Sequence, residues 1–240
     1  MVILVSYGEL VIEPHKSLEL RVHEKILRFE NIDSQSIRYS RIYLDKVEFE
    51  TLILGKYVAL YPCTITNKIG HNESYLYLRL IEPISFAPGL SMRLYIKCPV
   101  DVGVYAVKDS TYGLVDIIES SVKYAVYGAI DSGILARYFK VVPQRELPLA
   151  GLGSMVYVLD IENNSDSWIK FSRVIIPLAS MRVYLWKNIA ISEVVCVILR
   201  SQRTADVVLA NRSPYVDAYE LPVLPKQALK YTTYSMKWGV

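Results

Sequence analysis

Two arginines, Arg41 and Arg173, are the residues whose type and position most strongly suggest a chemical role. Each has the strand parity of its apolar neighbours, and each follows a serine in a similar local sequence. An arginine on an apolar face needs a carboxylate partner, because an unpaired buried charge is costly. Glu30 and Glu162 are the candidate partners. The pattern predicts a structural ion pair at each place, and an anion-binding site at equivalent positions is the alternative.

Aromatic residues form the second group of candidates, since the chain contains 19 tyrosines. Tyr75, Tyr77 and Tyr95 lie on the polar side of their predicted strands, and Tyr234 and Trp238 alternate with cations near the end of the sequence. Exposed aromatic rings stack on sugars and, on open sheets, on bases. The same rings can pack two halves of a chain together or pack against a second copy. These residues are therefore candidates for a ligand face or an interface.

Local signatures of other chemistry are absent from the sequence. The three histidines are isolated from one another and from the cysteines, so we predict no metal ion and no cofactor. The sequence has neither a nucleophile elbow nor a phosphate-binding glycine loop, and we assign no catalytic residue. A hydrolase remains an alternative because four carboxylates lie between two apolar runs. They are Asp109, Asp116, Glu119 and Asp131.

The elements that position these residues are predicted from the alternation of apolar and polar side chains. This alternation runs along almost the whole sequence and is clear in residues 18–23, 76–80 and 92–97. A period of two indicates β-strands with one buried face. Residues 115–126 also fit a helix, but we interpret them as two strands. The predicted fold is therefore all-β with little helix.

A segment rich in proline and glycine, residues 143–153, is the clearest candidate for an interdomain connection. Residues 27–42 align without gaps on residues 159–174, with six identical positions. The order of strand, turn and strand also matches, which favours internal duplication. We predict two tandem antiparallel β-sandwich-like modules, residues 1–142 and 154–240.

A Glu-Asn pair ends the first strand of each aligned segment. The pairs are Glu30-Asn31 and Glu162-Asn163. An asparagine at a corner bonds backbone two residues further on and tolerates left-handed geometry. Each aligned segment is therefore predicted to be a hairpin, with the Glu-Asn pair as a structural motif.

Charge and cysteine content limit the function and the location of the protein. The net charge of +3 is too small to predict nucleic-acid binding on charge alone. No apolar stretch is long enough for a transmembrane segment, and the first residues resemble a strand rather than a signal peptide. The three cysteines, Cys63, Cys98 and Cys196, are odd in number and far apart. A reducing cytoplasm is the predicted location.

Several short motifs carry a family resemblance. They occupy residues 123–128, 132–139, 161–165, 172–177 and 236–239, and the last of them reads Met-Lys-Trp-Gly. In length and motif order, the sequence resembles the archaeal family catalogued as domain of unknown function 432. The resemblance covers essentially the full chain. It implies an archaeal, thermophilic and intracellular source, and it implies no activity.

These observations lead to three functional hypotheses. The first is a non-enzymatic binding or assembly protein that presents a tyrosine-rich sheet face to a partner. A homodimer is its simplest form, and a protein partner is favoured over nucleic acid. The second hypothesis is recognition of a carbohydrate or a polyanion, using Tyr75, Tyr77, Tyr95 and Arg173. The third is the hydrolase that uses carboxylates of residues 109–131.

Overall fold

The computed structural model describes residues 7–63, 75–109, 111–121, 123–128, 133–178 and 181–221. Within these residues the chain forms strands and no helix, which confirms the predicted all-β class. Accordingly, none of them belongs to a helix that is long and apolar enough to cross a membrane. In chain order the strands are β1 (Gly8–Leu10), β2 (Ser17–Val22), β3 (Lys25–Asp33), β4 (Ser36–Tyr43), β5 (Lys46–Leu54), β6 (Tyr57–Cys63), β7 (Tyr75–Phe86), β8 (Ser91–Pro99), β9 (Asp101–Lys108), β10 (Thr111–Ile118), β11 (Lys123–Tyr127), β12 (Ile134–Val141), β13 (Ser154–Asn163), β14 (Ile169–Pro177), β15 (Val183–Trp186), β16 (Ile189–Leu199), β17 (Ala205–Leu209) and β18 (Tyr219–Glu220).

The described strands form four sheets. Sheet A has the order β1-β6-β9-β10, and sheet B has the order β2-β3-β4-β5. Sheet C has the order β11-β12-β7-β14, and sheet D has the order β18-β15-β16-β13-β8, with β17 also on β16. Sheets A and B are antiparallel, whereas β12 runs parallel to β7 in sheet C and β13 runs parallel to β16 in sheet D. Sheets C and D are therefore mixed, which alternation alone does not reveal.

Alternating side chains explain most of these strands. In β2, Leu20 and Val22 are buried while Glu19 and Arg21 are exposed, as a sheet with one covered face requires. The segment 115–126 falls on the end of β10 and on β11, so its interpretation as two strands is confirmed. Strands β13 and β16 are buried or half-buried almost throughout, because the centre of sheet D is covered on both faces.

One continuous apolar core contains buried residues from all four sheets. Its members include Val104 of sheet A, Phe29 of sheet B, Leu78 of sheet C and Leu159 of sheet D, each shielded from solvent. Burying one such side chain stabilises the fold by about 1.5–3 kcal/mol. The four sheets therefore depend on one another for the burial of their inner faces.

Strand pairing crosses the segment that was predicted to connect two modules. Strand β7 pairs with β12 and β14, and β8 pairs with β13. The segment itself is held to the sheets: Gln144 pairs with Tyr95 through two backbone hydrogen bonds, and the Gly153 amide donates to the Tyr7 hydroxyl. Sheets C and D therefore each contain strands from both sides of residues 143–153. The tandem sandwich arrangement and its module boundaries stay a prediction.

The two aligned segments differ in their strand pairing. Residues 27–42 contain β3 and β4, which pair with each other as a hairpin. Residues 159–174 contain the end of β13 and the start of β14, which lie in sheets D and C. The predicted hairpin is therefore correct for the first segment and wrong for the second. A turn of similar sequence closes a hairpin in one place and connects two sheets in the other.

A buried ion pair joins sheets A and C. Nη2 of Arg137, on β12, donates to Asp101, on β9, at 2.9 Å, and both side chains are almost completely buried. The other carboxylate oxygen accepts hydrogen bonds from the amide and the hydroxyl of Ser120, both at 2.8 Å. These hydrogen bonds compensate the carboxylate for its lost hydration.

We expect Asp101→Ala to lower the free energy of unfolding by about 3–5 kcal/mol, because it leaves the Arg137 charge buried without its carboxylate. The matched control is Asp206→Ala, which breaks the exposed ion pair with Arg200 and is expected to cost less than about 1 kcal/mol. Urea denaturation followed by circular dichroism measures both values. Similar losses in the two variants would contradict the role given to the buried pair.

Candidate functional site

A cleft of about 530 Å³ lies on sheet C among the described residues. Residues of β7 and β14 line it, including the core residues Leu80 and Phe171, and residues of the segment 199–205 form one wall. The volume lies within the range of about 300–1,000 Å³ that is typical of ligand-binding pockets.

An irregularity in the pairing of β7 with β14 opens this cleft. Arg79 pairs with Arg173 and Ile84 pairs with Phe171, so four residues of β7 face a single residue of β14. Pro83 lies within this bulge and cannot donate to a ladder because it has no amide proton. The two strands therefore separate here, and the bulged residues line the cleft.

Three cations lie side by side across the outer face of sheet C. Lys140 of β12 is in register with Arg79 of β7, and Arg79 is in register with Arg173 of β14. All three are exposed. We call these three residues the cation row. Neighbouring strands are about 4.8 Å apart, and like charges directly opposite each other destabilise a sheet.

Two cations outside the row line the cleft, whereas Lys140 of the row is not among its described lining residues. Lys170 and Arg203 line it together with Arg79 and Arg173, and none of the described lining residues is acidic. Among the residues that the structure describes, no ion pair involves these four or Lys140. The cleft is therefore a concentration of positive charge that the described carboxylates do not neutralise.

Tyrosine rings surround the cation row. Tyr77 contacts Tyr127 and Tyr138, with ring centroids 5.2 Å apart in both pairs. The guanidinium of Arg173 lies over the Tyr127 ring, 5.6 Å from its centroid, and this cation–π contact holds Arg173 over the sheet. Tyr77 is only 8% exposed, so the expectation that its ring is exposed is wrong. The rings of Tyr127 and Tyr138 are half-buried.

The wall of the cleft is attached to its floor by Gln202. The Gln202 amide donates to the carbonyl of Trp168 and accepts a hydrogen bond from the Lys170 amide at 3.4 Å. The hydroxyls of Ser201 and Thr204 bond each other at 2.7 Å. Because these polar groups satisfy one another, the wall is preorganised beside the cations.

Arg41 occupies a different environment from Arg173. Its Nη1 donates to both carboxylate oxygens of Asp116, at 2.6 and 2.7 Å, and its Nε contacts Glu48 at 3.2 Å. Glu30 instead pairs with Arg38, so the expected partner of Arg41 is wrong although an ion pair is present. The Tyr39 hydroxyl also donates to Asp116 at 2.7 Å. Burial and the nearby carboxylate raise the pKa of Tyr39 well above its ordinary range.

The remaining aromatic candidates do not join the cleft. Tyr95 lies on the outer face of sheet D and is only 8% exposed, because the loop around Tyr215 covers it and donates a hydroxyl–hydroxyl bond of 3.0 Å. Burial, together with this bond, raises the pKa of Tyr215 to about 12. Tyr75 is half-buried at the start of β7, outside the lining of the cleft. Tyr234 and Trp238 lie outside the described residues.

The asparagines of the two Glu-Asn pairs lie in different environments. Asn163 is completely buried and its amide donates to three carbonyl groups, those of residues 86, 87 and 167. Its oxygen accepts from the Ser165 amide, which is the bond two residues further on that the sequence predicts. Asn31 donates to the Ile12 carbonyl, and no bond of the second kind is seen for it. Glu162 is exposed beside Asn163.

The carboxylates proposed for a hydrolase do not converge in the described structure. Asp116 is held by Arg41 and Tyr39, Asp109 lies in the turn between β9 and β10, and Asp131 lies outside the described residues. Glu119 is exposed beyond the end of β10. None of the four is among the described residues that line the cleft. The described residues also contain no cluster of metal-ligating side chains.

Sequence reasoning missed Arg79, Lys140 and Tyr127 as site residues. A recurring spacing could have indicated the first two, because an aromatic residue stands two positions before the cation in Tyr77-Leu-Arg79 and in Tyr138-Phe-Lys140. Residues two apart share one face of a strand. Only the parallel register of β7 and β12 brings the two pairs together, and no local pattern encodes that register.

Fold and cleft together describe an all-β protein with a positively charged, tyrosine-lined surface cleft. The chain belongs to the family described as "Protein of unknown function (DUF432)", whose model matches residues 6–237. The resemblance seen in the sequence is thereby confirmed at the level of the family. No significant match was found among curated proteins or among solved structures.

We expect Arg79→Gln to raise the free energy of unfolding of the ligand-free protein by about 0.2–1 kcal/mol, because it removes the central charge of three like neighbours. The gain should shrink in 0.5 M salt, which screens exposed charges. Thermal and urea unfolding at low and high salt measure the effect.

The control for this prediction is Arg93→Gln. Arg93 forms two hydrogen bonds with the carboxylate of Asp160, at 2.6 and 2.8 Å, so its replacement should lower stability. If Arg79→Gln were destabilising to the same extent, Arg79 would have a structural partner and the description of the cation row would be incorrect.

Proposed function

We propose that this protein is a non-enzymatic binding protein that recognises an anionic ligand in the cleft of sheet C. The observation that carries the proposal is the cation row, in which Lys140, Arg79 and Arg173 occupy adjacent positions on three neighbouring strands. Of the sequence-based hypotheses, this one corresponds to polyanion recognition, and it keeps Tyr77 and Arg173 as site residues.

The energetics of the cation row support a ligand that carries negative charge. Cross-strand pairs of like charge cost a few tenths of a kcal/mol each in the free protein. A bound phosphate or sulfate reverses the sign of this contribution, because each guanidinium can then donate charge-assisted hydrogen bonds. Arg173 is already held over Tyr127, so part of the entropy needed to order its side chain is lost before the ligand arrives.

The lining of the cleft supports binding rather than catalysis. Its described residues provide cations, phenolic hydroxyls, Gln202 and the hydroxyls of the wall. Such groups fix and orient an anion, and a carboxylate or imidazole positioned to accept a proton is not among them. The proposal therefore assigns positioning and charge neutralisation to the cleft.

The alternative of an assembly face made of tyrosines has less support. Two of its three main residues, Tyr77 and Tyr95, contact other rings of the same chain and are almost completely buried. A face that serves a partner needs its aromatic anchors available for burial in the complex. The cytoplasmic location stays a prediction, together with the archaeal and thermophilic source.

Isothermal titration with tripolyphosphate and with heparin tests the proposed function. We expect both polyanions to bind at 50 mM salt, and we expect the double variant Arg79→Gln/Arg173→Gln to bind at least about tenfold more weakly. The reason is that a hydrogen bond to a charged group is worth about 1.5–3 kcal/mol, and 1.4 kcal/mol corresponds to tenfold in affinity.

The matched control is Arg28→Gln. Arg28 lies on sheet B, where it pairs with Glu19 at 2.6 Å and leaves the cleft unchanged. Its affinity for both polyanions should equal that of the wild type. If neither polyanion bound, or if the control and the double variant lost affinity equally, the proposal would be overturned.

A further inference from the structure

We infer that the anionic ligand of the cleft is a single-stranded nucleic acid, whose phosphates lie along the cation row while its bases contact the neighbouring aromatic rings. This inference rests on the proposed function and names the ligand class for the same site. Four observations carry it: the extent of the positive charge, the aromatic residues beside it, the concave shape of the site, and the way in which its polar groups are already engaged.

The positive charge extends further than one phosphate can reach. The cation row crosses three strands, so its outer members are separated by two strand spacings, or about 10 Å. Lys170 and Arg203 line the cleft and add charge beyond the row. A single phosphate contacts neighbouring cations at one place, whereas a chain of phosphates contacts all of them. The ligand therefore carries several negative charges in series, as a polynucleotide backbone does.

A row of aromatic and aliphatic side chains runs parallel to the cations. Tyr138 is in register with Tyr77, and Tyr77 is in register with Ile175, two residues along each strand from Lys140 and Arg79. Two residues of a strand correspond to about 6.6 Å. A ligand whose phosphates lie on the cation row therefore has its bases beside Tyr138 and Tyr127. Open sheets that bind single strands combine cations with aromatic rings in this way.

Trp168, which directly precedes the lining residues Ile169 and Lys170, provides a further stacking surface beside the cleft. Its side chain is 64% exposed, and its carbonyl is held by Gln202 of the cleft wall. The residue next but one along the chain is Lys170, which lines the cleft. A large exposed indole beside a lining cation is a suitable platform for an unpaired base.

The shape of the site favours a single strand over a duplex. Direct reading of duplex DNA requires an element that enters a groove, usually a helix or a protruding two-stranded ribbon. The described part of the chain has no helix, and four of the five cations line a cleft rather than a projection. A strand with unpaired, splayed bases can enter such a cleft, whereas a duplex presents its bases stacked inside.

The engagement of the polar wall residues predicts tolerance of base sequence. Gln202 already bonds Trp168 and the Lys170 amide, and Ser201 already bonds Thr204. These groups already have hydrogen-bond partners before a ligand binds. The affinity must therefore come from base stacking and from contacts with phosphates. Such contacts discriminate weakly among bases.

Fluorescence anisotropy with a labelled oligodeoxythymidine 12-mer tests the inference in the full chain. We expect the affinity to fall as salt rises, with a slope of log K against log[salt] near −3 for four to five phosphate contacts, at about −0.7 per contact for single strands. Arg79→Gln should reduce the magnitude of the slope by about 0.7 and weaken binding at least tenfold, while Arg28→Gln should leave both unchanged.

Trp168→Ala and Tyr138→Leu separate nucleic-acid binding from general attraction of polyanions. Both variants should weaken the oligonucleotide complex several-fold, because base stacking is lost, and should leave heparin affinity unchanged, because heparin has no bases. Trp168 is largely exposed, so its replacement keeps the test valid if Tyr138→Leu fails to fold. Circular dichroism of each variant checks this.

The outcomes distinguish the two proposals. A 12-mer bound at least tenfold more tightly than the corresponding duplex, with losses in both aromatic variants, supports the inference. Binding of the duplex as tightly as the single strand, or equal losses for heparin in the aromatic variants, overturns the inference and leaves an anion-binding cleft. Failure of the oligonucleotide, tripolyphosphate and heparin alike overturns both proposals.

Discussion

The buried ion pair between Asp101 and Arg137 fixes the orientation of β12, and the candidate site depends on that orientation. Arg137 points into the core, where it donates to the carboxylate of Asp101, which also accepts a hydrogen bond from the Ser120 amide. Because successive side chains of a strand point to opposite faces, Tyr138 must then lie on the outer face of sheet C, and so must Lys140. A slip of one residue would place a lysine in the core and the arginine outside. A buried lysine would lose its hydration, and an exposed Arg137 would leave the carboxylate of Asp101 buried without its partner. Both costs favour the register that aligns Lys140 with Arg79.

The cleft also requires chain segments that are distant in sequence. Its parallel pair, β7 and β12, is separated along the chain by β8 of sheet D, β9 and β10 of sheet A and β11 of sheet C, and β14 approaches β7 from the other side. The bulge around Pro83 then keeps β7 and β14 apart where the cleft opens. Long-range pairing of this kind is paid for in loop-closure entropy, and the single core shared by all four sheets supplies the compensating burial. The site is thus a product of the whole fold rather than of one hairpin.

Local sequence patterns predicted those features that depend on one strand at a time. Alternation identified the strands and the all-β class, and it correctly resolved residues 115–126 into strands. Parity also indicated that Tyr77 and Arg79 share a face. Parity does not show which segment covers a face of a sheet. Tyr95 was therefore expected to be exposed, although the loop that contains Tyr215 and the segment 143–153 pack over it. The partners of charged residues could not be predicted from parity either, because Asp116 approaches Arg41 from another sheet.

Arg41 and Arg173 show how one local sequence can serve two purposes. Both follow a serine, and both occur in the aligned segments, yet Arg41 faces the core side of sheet B and meets the carboxylate of Asp116. Arg173 faces solvent on sheet C, where its described neighbours are Tyr127 and another arginine. The first charge is neutralised within the chain and contributes to the attachment of two sheets. The second is held in place by an aromatic ring and has no carboxylate partner among the described residues. The difference arises from which face each strand presents to its neighbours, a property of the assembled sheets that the shared motif does not contain.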